Sequence, residues 1–170
     1  CSNLRRVSIP SSVKLIPSSA FKECFHLIKI SIPSSVISIG SNAFEGCFSL
    51  TKIAIPTSVK SIGSFAFFEC ASLKKISIPS TFIGENCFEA CKSLEQISLS
   101  PFLTTIHKLT FCRCSKLRQV YIPSSIKSIE DGAFCMCSSL QQISIPSSVE
   151  SIGIYAFSQC ISLEQISITS

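Results

Sequence analysis

One phrase of 23 residues recurs along the whole chain, and it constrains the fold more than any other feature. The stretch SIPSSVISIGSNAFEGC at 31–47 returns as AIPTSVKSIGSFAFFEC at 54–70, and again near residue 144. The cysteine that marks each unit recurs every 23 residues except for one interval of 21, at Cys1, Cys24, Cys47, Cys70, Cys91, Cys114, Cys137 and Cys160. A fixed period of this length is typical of solenoids, in which each unit buries its apolar face against its neighbours.

Length and composition fit one packed domain. The chain has 170 residues, of which 46% are hydrophobic and 15% charged, so a largely disordered chain is excluded. Its apolar runs are shorter than the ~18 residues that a membrane-spanning helix needs. We therefore predict a single solenoid over residues 1–170, with about seven repeats and a half repeat, as a fragment of a longer protein.

Each unit predicts a strand, a corner, an irregular side and a helical turn. The alternation in Ile76-Ser77-Ile78 is typical of a strand with one buried face, and Pro79 ends that strand because it has no N–H. Phe67 and Cys70 have the spacing of one helical turn, with both side chains facing inward. Stacked units would give one parallel sheet on the concave face and short helical turns on the convex face.

The pattern L-x-x-I-x-I-P followed by I-G-x-x-A-F-x-x-C resembles the BspA-type leucine-rich repeat, a 23-residue class found in bacterial and protozoan surface proteins. The resemblance extends over all 170 residues. It implies an α/β solenoid of the leucine-rich repeat kind. It also implies a cell-surface or extracellular protein that adheres to extracellular matrix or to other cells.

Two successive units depart from the pattern. One is two residues short, and we expect Phe82 and Ile83 to fill its inward valine and isoleucine places. The next unit carries its proline one position late, at Pro101. We expect a local distortion around residues 80–110, which reflects either drift of the repeat or a docking site.

The 11 cysteines do not predict a disulfide framework. Eight of them share one inward place of the repeat, where parallel side chains fit disulfide geometry poorly, so we expect small buried hydrophobes. Cys112 and Cys135 share a place that holds Lys, Glu or Ser in most other units, so we expect both at the surface. They would form a disulfide in a secreted protein or stay free in a reducing compartment. A zinc site is disfavoured because residues two apart on a turn point in different directions.

No catalytic, cofactor-binding or metal-binding residue is predicted. The only histidines, His26 and His107, fall in different units, and we expect both at the surface without an acid or a nucleophile nearby. Asp131 is the only aspartate, and the glycines occur singly, so neither a carboxylate pair nor a phosphate loop is predicted. We therefore predict that the chain is not an enzyme and needs no cofactor.

In a solenoid the exposed strand places form columns, and function is sought where the units differ. The place before the first inward strand residue changes from cations to amides and reads Arg6, Lys29, Lys52, Lys75, Gln96, Gln119, Gln142 and Gln165. Residues 1–79 hold nine Lys and Arg against three Glu, a net charge of +6, whereas residues 80–170 hold six against seven acids, a net charge of −1. We predict that these eight residues contact a ligand. Tyr121 is a ninth candidate, as the only aromatic residue in a neighbouring column of Ser and Ala.

The four cations predict an anionic partner, either an acidic protein surface, an acidic glycan or another extracellular matrix ligand. The alternative is that they only keep the sheet face soluble. Nucleic acid is not predicted, because no aromatic residues alternate with these cations for base stacking. With the resemblance, this predicts a non-enzymatic binding surface of a cell-surface adhesin, with membrane contact only through segments outside these residues. A scaffold that self-associates through its apolar ends and a cytoplasmic interaction module remain as alternatives.

Overall fold

The computed structural model describes Cys1 and residues 3–169, with the backbone alone of Thr169, and forms a parallel solenoid of about seven turns. Ser2 and Ser170, which the sequence assigns to the first and last units, lie outside the described residues. Each turn contributes one strand to a main sheet of eight parallel strands, paired in chain order. Counting all strands along the chain, the main sheet contains the odd-numbered ones: β1 (Arg6–Ser8), β3 (Lys29–Ser31), β5 (Lys52–Ile53), β7 (Lys75–Ile78), β9 (Gln96–Leu99), β11 (Gln119–Tyr121), β13 (Gln142–Pro146) and β15 (Gln165–Thr169).

Short strands also form on the side that the sequence was expected to leave irregular. Each has two residues and, apart from the last, buries its second residue, an isoleucine, so the repeat encodes a second inward row. The even-numbered strands are β2 (Leu15–Ile16), β4 (Ser38–Ile39), β6 (Ser61–Ile62), β8 (Phe82–Ile83), β10 (Thr105–Ile106), β12 (Ser128–Ile129) and β14 (Ser151–Ile152). They form a four-stranded sheet from β2 to β8 and a three-stranded sheet from β10 to β14.

The side strands are divided in two at the irregular units, whereas the main sheet continues past them. Ile83 aligns with the inward isoleucines of the neighbouring strands and is buried. Phe82 aligns with an outward serine and is 47% exposed, so the expectation that it fills an inward place is wrong. The missing residues shorten the corner before β8, which leaves no inward valine there. Ser80 is buried in that corner, and its hydroxyl donates a hydrogen bond of 3.0 Å to a backbone carbonyl of the preceding turn.

The expected helical turns are not formed, because the described residues contain no helix. Two places in each turn have a left-handed backbone, as at Asn42 (φ 59°) and Gly46 (φ 69°), and such residues interrupt a right-handed helix. The N–H groups of Asn42, Phe44 and Gly46 instead donate hydrogen bonds of 3.0, 2.7 and 2.8 Å to the next turn of the solenoid. Consequently, no described helix could cross a membrane.

A column of stacked phenylalanine rings runs through the core. The inward phenylalanine of each turn packs on the next, with ring centroids 5.1 to 5.7 Å apart. Five of the seven rings are completely buried. The column contains Phe21, Phe44, Phe67, Phe88, Phe111, Phe134 and Phe157. Because each ring between the two end rings stacks on two others, the column couples neighbouring turns to one another.

The inward cysteines form a second core column beside the rings. As expected, they are buried from Cys24 onward and unpaired as disulfides. The thiol of Cys70 also donates a hydrogen bond of 3.2 Å to the carbonyl of Phe44 in the preceding turn, and the same contact recurs from Cys47 to Cys160. These cysteines are therefore small core residues that also satisfy a buried backbone carbonyl.

Candidate functional site: the exposed face of the main sheet

The cation column consists of Arg6, Lys29, Lys52 and Lys75. Strand register places it on one face, because each of these residues is the direct partner of the next. All four are exposed, since their neighbours in the strands point into the core. Neighbouring strands are ~4.8 Å apart, so four cations follow one another over roughly 15 Å. The repeat period thus predicts that the four cations lie side by side on one face of the main sheet, and the strand register places them there.

The amide column continues the same line and consists of Gln96, Gln119, Gln142 and Gln165. Lys75 pairs directly with Gln96, and the register then runs without a gap through the remaining amides. All four amides are exposed. Within the described part of the chain their side chains make no hydrogen bond, so donors and acceptors face solvent along this half of the sheet.

The charges of the cation column are not compensated. Three of the other lysines and arginines pair with an acid of a neighbouring turn, as in Lys22–Glu45 at 3.0 Å and Lys127–Glu150 at 3.2 Å. Among the described residues no acid lies within ion-pair distance of the cation column. Unit charges ~5 Å apart in water repel by up to about 1 kcal/mol per pair. The column therefore holds repelling charges that an anionic partner would neutralise.

A groove runs along the cation column. It has a volume of about 630 Å³ and is lined by two lysines, small residues and the partly exposed Ile28. The groove lies beside the first three cations and includes Ser31 and Ala54 of the small-residue column, which consists in this half of the sheet of Ser8, Ser31, Ala54 and Ser77. Because the side chains of the small-residue column are short, a partner can come close to the sheet while the longer lysine side chains extend along its flank.

A larger groove of about 890 Å³ lies where the two columns meet. Its wall combines Lys75 and Arg118 with Glu95, so both signs of charge are present. Tyr121 stands at its edge, 76% exposed, at a place of the small-residue column that otherwise holds serine or alanine. The expected exposure of this ring is confirmed.

His107 has an acidic neighbour, which corrects the expectation that neither histidine would have one. Its Nδ1 lies 3.1 Å from Oε1 of Glu130, whose other carboxylate oxygen accepts a hydrogen bond from the backbone N–H of Lys108. Both residues occupy the glycine place of successive turns, so their spacing of 23 residues is a signal from which the contact could have been predicted. The pair lies on the side sheet, away from the cation column, and the contacts described at this pair include no nucleophile. His26 is exposed, as expected.

Cys112 is buried rather than exposed, so the expectation of two surface thiols is wrong. Cys135 is partly exposed, and the carboxylate of Glu89, which acts electrostatically on Cys112, pairs with Arg113 at 3.8 Å. Burial, and then the negative charge of Glu89, raise the pKa of the Cys112 thiol to about 12. Among the described residues no three potential ligands are grouped as a metal site would require.

The stacked turns, the inward Ile-x-Ile strands and the single parallel main sheet define a leucine-rich repeat protein. The model of the BspA-type leucine-rich repeat region matches residues 1–82 and 80–170 in six copies, and the chain belongs to this family. No curated protein sequence is significantly similar to it.

Solved structures of bacterial leucine-rich repeat proteins have the same fold. A T. pallidum leucine-rich repeat protein is 30% identical with a TM-score of 0.86, and the match covers 95% of this chain and 79% of that one. A leucine-rich cell surface protein from Faecalibacterium prausnitzii is 26% identical with a TM-score of 0.68, and the match covers 100% of this chain and 61% of the other. A Bacteroides ovatus leucine-rich repeat protein is 30% identical with a TM-score of 0.76, over 100% and 56% of the two chains.

Proposed function

We propose that the exposed face of the main sheet is a non-enzymatic binding surface for an anionic macromolecule, and that the chain is part of a cell-surface adhesin. The observation that carries the proposal is the cation column, in which four like charges are adjacent and no described acid pairs with them. The adjacency of four like charges favours binding over a role in solubility alone. Mixed charges keep a sheet face soluble at a lower electrostatic cost, as Lys127 and Glu150 do on the side of the solenoid.

The partner that fits the cation column carries several anionic groups at short, regular intervals. An acidic protein surface and a sulfated glycan share this chemistry, and both gain most from a row of cations that is already in place. The amide column and Tyr121 extend the surface with hydrogen-bonding groups and one aromatic ring, which suit contacts beyond the charged half. Nucleic acid fits less well, because no aromatic side chain lies in the columns of the charged half to stack on bases.

An extracellular location is supported by the relatives. The Faecalibacterium prausnitzii protein is described as a cell surface protein, and it shares 26% of its residues with this chain over the aligned region. A rigid repeat surface on the outside of a cell presents its columns to matrix or to other cells, which is the task of an adhesin. A cytoplasmic interaction module is the alternative that this proposal sets aside.

Reversing three charges of the cation column tests the proposal. We expect the variant with Lys29→Glu, Lys52→Glu and Lys75→Glu to bind heparin or poly-glutamate at least about tenfold more weakly than the parent protein. Binding of the parent should itself weaken as salt rises from about 0.05 to 0.5 M, because exposed charges are screened. Isothermal titration calorimetry with each of the two polyanions measures both effects and separates the two sources of anionic groups.

The matched control moves the same charge change to another face. Lys14, Lys60 and Lys108 are exposed and lie next to strands of the side sheets. Changing all three to Glu alters the net charge equally, yet binding should stay within about twofold of the parent. An equal loss in both triple variants would mean that net charge, and not the cation column, attracts the polyanion.

Self-association is a second candidate function. Ile166 and Ile168 in β15 are 49% and 79% exposed, and a second copy of the chain could cover this strand. Light scattering at increasing protein concentration distinguishes the candidates. Dimers that form in the absence of polyanion, together with unchanged polyanion binding in the Lys-to-Glu variant, would favour the scaffold over the binding surface.

A further inference from the structure

We propose that the partner segment seated on the cation column is an acidic α-helix that lies along the stacking direction, perpendicular to the strands. This inference rests on the proposed function and specifies the partner. It follows from a comparison of spacings between the four cations and the charged side chains that a polypeptide can present in one line. It goes beyond charge complementarity, which an acidic chain of any conformation would satisfy.

The spacing of the cations matches the turns of a helix. Three strand intervals of ~4.8 Å separate the first cation from the fourth by about 14 Å. Side chains on successive helical turns are ~5.4 Å apart, so three turns cover about 16 Å. The difference of about 2 Å is spread over four flexible cationic side chains, each of which can adjust its rotamers. A helix can therefore place one carboxylate opposite each of the four cations.

The charges of an extended partner segment match the spacing of the cations poorly. Residues on one face of a strand recur every ~6.7 Å, so the same four charges would extend over about 20 Å. That exceeds the cation column by about 6 Å, so a centred extended segment would place each outer carboxylate about 3 Å out of line with its cation, whereas a centred helix would place it only about 1 Å out of line. An ion pair needs its nitrogen and oxygen atoms within about 4 Å of each other, so the larger mismatch weakens the two outer pairs more than the mismatch of a helix does. The column thus discriminates between backbone conformations as well as between charges.

The floor of the groove also suits a helix. A helix with side chains is ~10 Å wide and needs a flat strip beside the charged row. The small-residue column provides this strip at Ser8, Ser31, Ala54 and Ser77, and the groove of about 630 Å³ includes Ser31 and Ala54 of the strip. Ile28, 41% exposed at the groove's margin, offers an apolar contact to a residue that flanks the acidic row.

Tyr121 limits how far a bound helix can extend along the main sheet. It occupies the small-residue column two strands beyond Ser77 and is 76% exposed, so its ring rises from the strip on which the helix would lie. The smaller groove, which this ring does not line, follows Arg6, Lys29 and Lys52, and the ring lines the larger groove together with Lys75, so the ring limits a bound helix to the cation column. About three helical turns, or roughly 11 residues, fit along it.

Three labelled peptides of about 16 residues and identical composition test the inference. The first is alanine-rich, with four Glu on successive turns of one helical face. The second has the same residues, with the four Glu distributed around the helix. The third retains the acidic spacing of the first but places two of its alanines in the D configuration to break the helix. Fluorescence anisotropy measures binding to the parent protein at about 0.05 M salt, where surface charges are weakly screened.

We expect the first peptide to bind at least about tenfold more tightly than the other two and to gain helical circular dichroism on binding. Changing Lys29, Lys52 and Lys75 to Gln should abolish the difference between the peptides. These substitutions copy the residue that four other turns carry at the same place, so the fold should tolerate them. The same change at Lys14, Lys60 and Lys108 should leave the preference intact.

Two outcomes would overturn the helix while leaving the binding surface in place. In one, the three peptides bind equally and all lose affinity in the Lys29, Lys52 and Lys75 variant. In the other, no peptide binds although heparin does so through the same lysines. If neither heparin, poly-glutamate nor any peptide binds, both the helix and the proposed function fail.

Discussion

Replacing Phe88 by alanine should lower the free energy of unfolding by about 3–5 kcal/mol, the range for truncating a fully buried phenylalanine. Phe88 is completely buried and stacks on Phe67 and Phe111, with ring centroids 5.2 and 5.7 Å away. The substitution removes both stacking contacts and leaves a cavity between turns whose spacing is fixed by strand pairing, so the core cannot collapse to fill it. Urea unfolding followed by circular dichroism measures the loss.

The matched control is Phe102, which is 72% exposed and outside the phenylalanine column. Its replacement by alanine should change the free energy of unfolding by no more than about 0.5 kcal/mol. Similar losses in the two variants would contradict the conclusion that the stacked rings hold neighbouring turns together.

The protein should lose stability steeply in alkaline solution, even when a reductant keeps its thiols free. Burial raises the pKa of Cys91 from the ordinary 9.0 to about 12, and burial followed by the neighbouring Cys24 raises the pKa of Cys47 to about 12. For Cys70, Cys114 and Cys137, burial raises the thiol pKa well above 9.0. These groups stay protonated in the folded chain after the unfolded chain has released its protons.

The sign of this pH dependence follows from the number of protons that the folded and unfolded states bind. Above pH 9 the folded state binds more protons than the unfolded state, so stability falls as pH rises. The contribution of each thiol is complete below about pH 9 and is lost at about 1.4 kcal/mol per pH unit above it, a loss that for Cys47 and Cys91 continues toward about pH 12. Several thiols together can consume a typical stability of about 5–15 kcal/mol within one or two pH units.

Urea unfolding at a series of pH values between 8 and 11 measures this dependence, with far-ultraviolet circular dichroism as the signal. The Cys91→Ala variant should lose about 1.4 kcal/mol per pH unit less steeply than the parent, because one linked thiol is gone. A free energy of unfolding that stays constant from pH 8 to 11 would contradict the burial of the cysteine column.

Periodicity predicted the parts of the fold that depend on inward and outward alternation. The constant spacing of the units fixes the parallel register, and with it the exposure of Lys29 and Lys52 beside one another. The outward place of Tyr121 follows from the same alternation, because residues two apart in a strand share a face. The sequence therefore predicted which residues lie on the exposed face, although it did not predict the identity of the partner.

The turns opposite the main sheet were predicted wrongly, for a local reason. The spacing of Phe67 and Cys70 fits a helical turn, but left-handed backbone at Phe65 and Glu69 divides the segment into two tight turns. Neither Phe nor Glu is a residue that normally marks positive φ, so composition gave no warning. Hydrogen bonds between neighbouring turns stabilise this conformation, and they appear only once the units are stacked.

Tertiary packing determines two further features that the sequence predicted wrongly, the burial of Cys112 and the acidic neighbour of His107. The place of Cys112 is polar in several units, yet contact with neighbouring turns buries its thiol. His107 and Glu130 share the glycine place in adjacent turns, and the period would have brought them together had it been applied to the irregular units. Both cases show that a residue in a repeat is best judged together with its counterparts one period away.

The cation column opposes stability if its role is binding. Lys52 lies between Lys29 and Lys75 in direct register, so it faces a like charge on both sides. Opposite charges facing one another across strands stabilise a sheet by about 0.2–1 kcal/mol per pair, whereas like charges destabilise it. Retaining lysine at this place then lowers stability in favour of binding. Reversing this single charge should therefore raise stability while it weakens binding.

The most direct measurement is the urea unfolding of the Lys52→Glu variant at low salt, beside its binding to a polyanion. We predict that its free energy of unfolding rises by about 0.5–1 kcal/mol, that the gain shrinks in about 0.5 M salt, and that polyanion binding weakens. Lys60→Glu, an exposed change next to the side sheet, should produce neither effect. Unchanged or lower stability for Lys52→Glu, with polyanion binding intact, would contradict a functional column of adjacent cations.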